Sequence, residues 1–133
     1  GEKFTRRFDA NSYLYITKAL DYFDIGEGAP SLEKALEALQ CPVLVITFSS
    51  DWLYPAEQGY DLVSALESIE HPVTYHHVNA YFGHDSFLVE VETMTHLVGG
   101  YLDKQWQRHR ERQRADETIG PESQTARQRT ANA

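Results

Sequence analysis

An apolar run that stops abruptly constrains this chain more than any other feature. Val43-Leu44-Val45-Ile46-Thr47-Phe48 is rich in β-branched residues, has the length of a strand, and ends in Ser49-Ser50-Asp51-Trp52-Leu53-Tyr54-Pro55. A second run, Val73-Thr74-Tyr75-His76-His77-Val78, leads through Asn79-Ala80-Tyr81-Phe82-Gly83 to His84-Asp85. Between them, Ala56 to Ile69 sets Tyr60, Leu62, Val63, Leu66 and Ile69 at near-helical spacing, bounded by Pro55 and by His71-Pro72. The pattern is strand, helix, strand. Two strands joined by a crossover helix pair in parallel, so the expected class is α/β.

In open α/β sheets the chemistry collects just beyond the carboxyl ends of the strands. Asp51 and His84 both fall there. An acidic residue followed by a histidine on successive strand ends fits the second and third members of a hydrolase triad, whose chain order is Ser, then Asp or Glu, then His. The nucleophile is then expected upstream. His84 lies between Gly83, which lets the backbone turn, and Asp85. Its near-neutral intrinsic pKa suits a general base. Asp51 would hold the imidazole in one tautomer and stabilise the imidazolium. A competing reading makes Asp51 the N-cap of the helix after Pro55. Ser49 and Ser50 are not in a G-x-S-x-G elbow, a motif that this sequence lacks.

The flanking segments read as helices. Phe8 to Ile25 carries Leu14, Tyr15, Ala19, Leu20, Tyr22 and Phe23, with Asp9 or Asn11 as cap. Such a helix is too apolar to stand in water, so it covers a core, lines a substrate passage or meets a partner. Ser31 caps a short helix to about Leu39. From Ser86 a further helix runs to about Tyr101 or beyond, with Phe87, Leu88, Val91, Met94, Leu97, Val98 and Leu102 inward and Gly99-Gly100 weakening it late. From Gln105 to Ala133 the chain is rich in Arg, Gln, Glu and Thr and is expected to be disordered, unless Arg108 to Arg114 extends the helix.

Residues 1–104 hold 16 acidic and 6 basic side chains, and 105–133 hold 4 and 6. An acidic body of net charge −10 argues against nucleic acid as a partner, since phosphate binding needs clustered Lys and Arg. No apolar run approaches the roughly 20 residues of a membrane span, and there is no signal-peptide core, so no membrane partner is expected. Cys41 is the sole cysteine; at the start of a strand it reads as an inert packing thiol, and the lack of a disulfide framework suits a cytoplasmic protein. His76 and His77 point to opposite faces of a strand and His71 and His96 are isolated, so no metal site is expected. No phosphate-cradling glycine loop appears, and no cofactor is expected.

Four ordered motifs carry a resemblance. They are Arg7-Phe8-Asp9-Ala10-Asn11-Ser12-Tyr13-Leu14-Tyr15, Ala19-Leu20-Asp21-Tyr22-Phe23-Asp24, Ser49-Ser50-Asp51-Trp52-Leu53-Tyr54-Pro55 and Gly83-His84-Asp85-Ser86-Phe87-Leu88. Over residues 1 to 104 the chain resembles the homoserine O-acetyltransferases of the α/β-hydrolase superfamily. The resemblance implies the C-terminal part of an α/β-hydrolase fold, with parallel strands, flanking helices and the end of a helical lid. On that reading residues 1–40 are the C-terminal helices of the lid, 41–104 the C-terminal part of the core, and 105–133 a tail outside the resemblance. It further implies transfer of an acetyl group from acetyl-CoA, a co-substrate, to the hydroxyl of L-homoserine through an acyl-serine, a step toward methionine. Asp51 would be the triad acid, His84 the base, and Asp85 the carboxylate that holds the substrate's amino group. The family's serine and oxyanion-hole residues would precede Gly1, so the 133 residues alone are expected to be inactive, and a homodimer is expected of the full-length protein. Succinyl transfer, serine as acceptor, or a noncatalytic oligomerisation module remain as alternatives.

Overall fold

A computed structural model describes residues 2–7 and 9–118. The elements, in order, are α1 (Glu2–Thr5), α2 (Ala10–Tyr22), α3 (Leu32–Leu36), β1 (Val43–Phe48), α4 (Ala56–Ser68), β2 (Val73–Val78), a 3-10 turn (Gly83–Asp85), α5 (Ser86–Val89) and α6 (Val91–Thr118). β1 and β2 pair in a two-stranded sheet. Val43 N–H donates to Pro72 O at 2.9 Å and Ser49 N–H to Val78 O at 3.0 Å. Both pairs are 29 residues apart, and a constant offset is the mark of parallel strands. The central strand–helix–strand reading thus agrees with the structure to within a residue.

The described residues fall into two compact units: those up to Val45 with Glu57–Tyr75, and Ile46–Ala56 with those from His76 onward. In the first unit, Leu36, Ala65 and Leu66 are buried, and Leu32, Val43, Leu62, Ile69 and Val73 pack against them. The apolar stripes of α3 and α4 thereby close on the opening residues of both strands, which is what their 3.6-residue spacing dictates. Ser31 caps α3 by accepting from Lys34 N–H at 3.3 Å. α4 ends in a Schellman closure: Glu70 N–H donates to Glu67 O, His71 N–H to Leu66 O, and Glu70 takes φ +56° ahead of Pro72.

α2 is capped by Asp9, whose carboxylate accepts from Ser12 N–H at 2.9 Å. None of its residues is buried, and Tyr15 and Tyr22 are three-quarters exposed. Of the roles open to this helix, covering the chain's own core is therefore not what these residues do. Cys41 is exposed, which corrects the expected packing thiol: β1 begins two residues later, and the ring of the neighbouring His71 meets the backbone oxygen of Cys41 rather than covering the sulfur.

In the second unit, the helix expected from Ser86 is broken. Glu90 separates α5 from α6: its N–H still closes the last turn of α5 on Ser86 O, but its ψ of +54° takes the backbone out of the helical region before α6 starts. Gly99-Gly100 does not interrupt α6, which continues to Thr118. Of the two readings of the stretch from Gln105, disorder or an extension of the preceding helix through Arg108 to Arg114, the second holds as far as Thr118; Arg, Gln, Glu and Ala are strong helix formers, and no Pro or Gly intervenes. Residues 119–133 of that tail lie outside the described residues. Several side chains assigned inward, among them Leu88, Val91 and Leu102, are more than half exposed, so their spacing marks an apolar face but not a covered one. No helix among the described residues is long and apolar enough to cross a membrane.

Candidate active site

Beyond Phe48 the chain must turn out of the sheet, and it does so around Asp51. One carboxylate oxygen, Oδ1, accepts from Leu53 N–H and Tyr54 N–H, each at 3.0 Å. These short-range bonds are what aspartate commonly makes in a turn, and they hold the carboxylate in place. They do not cap α4, so the N-cap alternative is replaced by a turn. The second oxygen, Oδ2, meets His84 Nδ1 at 2.8 Å. The two residues that the sequence placed at successive strand ends are therefore in direct contact within one unit.

The environments of the two partners differ. The Asp51 side chain is 5% exposed and that of His84 is 38% exposed. Burial by itself raises the Asp51 carboxyl, because the charged form loses water. The hydrogen bonds from Tyr54 N–H, His84 and Leu53 N–H, together with the charge on His84, outweigh it, and the Asp51 pKa is lowered. An ionised carboxylate only accepts, so Nδ1 must carry the proton in this bond. Nε2, the other ring nitrogen, is left to exchange a proton with a substrate. That division of labour is what a general base held by an acid requires.

The imidazole is also bracketed by rings. Tyr54 lies 5.0 Å from it between centroids, tilted by 49°, and Phe87 lies 5.3 Å away in an edge geometry. Contacts of this kind restrict ring rotation. Gly83 takes φ +61°, a conformation that glycine adopts at no steric cost, and this lets the turn deliver His84. Asp85 follows on the same turn, is exposed, and makes no capping hydrogen bond to α5. Tyr81 and Phe82, on the loop that leads to His84, are 85% and 54% exposed.

Sequence reasoning missed two kinds of participant. The amides of Leu53 and Tyr54 carry no side-chain signal, although the Asp-x-x spacing is that of an aspartate turn. Ser49 and Ser50 stand out in the sequence only as hydroxyls outside a nucleophile motif, yet both bond the loop that leads to His84. Among the described residues no group of three or more His, Cys, Asp or Glu side chains is arranged to hold a metal ion. His77 Nδ1 instead meets Thr47 Oγ1 at 2.9 Å.

A parallel strand–helix–strand unit with an acid and then a histidine beyond the strand ends defines a class, the C-terminal part of an α/β-hydrolase fold. No protein-family model matches the chain. Individual proteins do. The chain is 47% identical over 104 residues to a homoserine O-acetyltransferase of Geotalea uraniireducens, covering 78% of this chain and 28% of that protein. It is 48% identical over 103 residues to one of Methanosalsum zhilinae, covering 77% and 21%. The crystal structure of a homoserine O-acetyltransferase from Bacillus anthracis superposes with a TM-score of 0.63 at 29% identity, over 71% of this chain and 24% of that one. Over about three quarters of its length the chain is similar to homoserine O-acetyltransferases, and it spans about a quarter of the length of these relatives.

Proposed function

We propose that these residues supply the acid and base of an enzyme that moves an acetyl group from acetyl-CoA to the hydroxyl of L-homoserine. The observation that carries this reading is the 2.8 Å contact between His84 Nδ1 and a buried Asp51 carboxylate. In the proposed route, a serine supplied by polypeptide other than these 133 residues attacks the thioester. His84 Nε2 takes the serine proton as the acyl-enzyme forms and passes it to the leaving sulfur, so that CoA departs as the thiol. The same nitrogen then takes the proton of the homoserine hydroxyl, whose oxygen attacks the acyl-serine, and returns it to the serine oxygen as that ester bond breaks. Asp51 keeps the imidazole in the Nδ1–H tautomer throughout and offsets its positive charge. The 133 residues alone would then be inactive.

Asp85, adjacent to the base and exposed, would receive the ammonium group of homoserine and bring its hydroxyl toward Nε2. A charged amine placed without such a partner would lose hydration uncompensated. The test uses the complete enzyme with two acceptors, L-homoserine and 4-hydroxybutanoate, which lacks the amine. Asp85→Asn should raise KM for homoserine by about tenfold, the value of one weakened charge contact, and leave the amine-free acceptor unchanged. Equal effects on both acceptors would remove Asp85 from substrate recognition. Absence of any acetyl transfer by the wild type would end the proposal itself.

A further inference from the structure

The parallel ladder between the two strands stops at Ser49 N–H and Val78 O, with the partners 29 residues apart. Asp51 and His84, which must meet, are 33 apart. The second strand's exit is therefore four residues longer than the first's, and something must take up that excess without letting the loop wander.

Three hydroxyls occupy this gap. Ser49 Oγ donates to Asn79 Oδ1 at 2.9 Å, with Ala80 O at 3.1 Å, and accepts from Ala80 N–H at 3.1 Å. Ser50 Oγ accepts from Gly83 N–H at 2.9 Å across the same 33-residue offset as the acid–base pair. Ser86, fully buried, donates from Oγ to Gly83 O at 2.7 Å. Both backbone polar groups of Gly83 are thus held, one from the residue before Asp51 and one from two residues after His84. Gly83 sits at φ +61°, where L side chains are strained and the backbone of a glycine would otherwise have the widest freedom.

We propose that Ser50 is a positioning residue: its hydroxyl, bound to Gly83 N–H, extends the ladder by one side-chain rung and thereby sets the register in which His84 meets Asp51. The role rests on the reading of Asp51 and His84 as the acid–base pair, but the bond itself does not. Without Ser50 Oγ the two exits would be joined beyond Ala80 only by the 2.8 Å Asp51–His84 hydrogen bond and the Tyr54–His84 ring contact. A misplacement on the order of 1 Å at a reacting group costs up to about a hundredfold in rate.

The test uses the 15N-labelled 133-residue chain and three variants, Ser50→Ala, Ser50→Thr and Asp51→Asn. Ser50→Ala should speed amide exchange at Gly83 by about tenfold, the equivalent of one hydrogen bond. It should also reduce the Nδ1–H tautomer of His84 seen in long-range 1H–15N spectra. Exchange at Ala80, which Ser49 holds, should stay within about twofold. Ser50→Thr, which keeps the hydroxyl, should restore both Gly83 and His84. In the complete enzyme, Ser50→Ala should lower kcat by about tenfold or more while KM for homoserine holds. Wild-type exchange and tautomer in Ser50→Ala would overturn the proposal. So would a loss of protection shared by Ala80 and Gly83, since the serine would then support the fold generally. If Asp51→Asn leaves the His84 tautomer unchanged, it is the acid–base pairing that fails; if the wild-type enzyme transfers no acetyl group, the proposed function fails while the exchange result stands.

Discussion

Replacing Asp51 by Asn exchanges one oxygen for an amide, and the geometry says what each half of the side chain will do. The carbonyl oxygen remains the acceptor for Leu53 N–H and Tyr54 N–H, now as a neutral acceptor. Hydrogen bonds to charged groups contribute roughly 1.5–3 kcal/mol and neutral ones about 1 kcal/mol. Weakening two such bonds, while the carboxylate's desolvation cost is relieved, leaves a net destabilisation of about 1–2 kcal/mol. The new NH2 group then faces His84 Nδ1, where a proton already sits. The ring relieves the clash by moving its proton to Nε2, which can no longer act as a base. In serine hydrolases a substitution of this kind lowers turnover by about four orders of magnitude, or about 5 kcal/mol of barrier. The functional loss should therefore exceed the loss of stability several-fold. The assay is a urea titration beside long-range 1H–15N spectra of the histidines, with kinetics on the complete enzyme. A folded Asp51→Asn variant that keeps the Nδ1–H tautomer and wild-type turnover would refute the reasoning.

Two further outcomes follow from the same structure. The Asp51 pKa is lowered on folding, so the unfolded chain binds the extra proton first and the carboxylate's contribution is complete above the ordinary carboxylate range. That contribution should fade as pH falls through the lowered value, so the difference in urea midpoint between wild type and Asp51→Asn should shrink on acidification; a difference that grows would contradict the assigned hydrogen bonds. Glu70→Gly should stabilise the chain by about 0.5–1 kcal/mol, because φ +56° strains an L residue at the C′ position where glycine is favoured. A loss of stability in thermal melts would mean that the Glu70 side chain outweighs its backbone strain.

Much of the central unit was legible because apolar runs and 3.6-residue patterns are local. The strands Val43–Phe48 and Val73–Val78 and the helix read as Ala56 to Ile69, which ends at Ser68, followed from residue type and spacing and from the stops at Ser49, Pro55 and Pro72. The meeting of Asp51 and His84 was legible from topology, since parallel strands present their carboxyl ends on the same side. What governs that meeting was not. The four-residue difference in exit length, and the serines that absorb it, depend on side chain to backbone bonds across more than 30 residues. The stop at Glu90 carries no Pro or Gly to announce it, and polar composition left the stretch beyond Gln105 open between disorder and an extended helix, because low hydropathy excludes burial rather than helicity. Apolar spacing on α2 likewise gave a face without saying what meets it.

The most direct test is the formation of O-acetyl-L-homoserine from acetyl-CoA and L-homoserine by the complete enzyme, wild type beside His84→Ala. The wild type should turn over, and the variant should fall by about a thousandfold or more while remaining folded. Full turnover without the imidazole would contradict the assignment of His84 as the base.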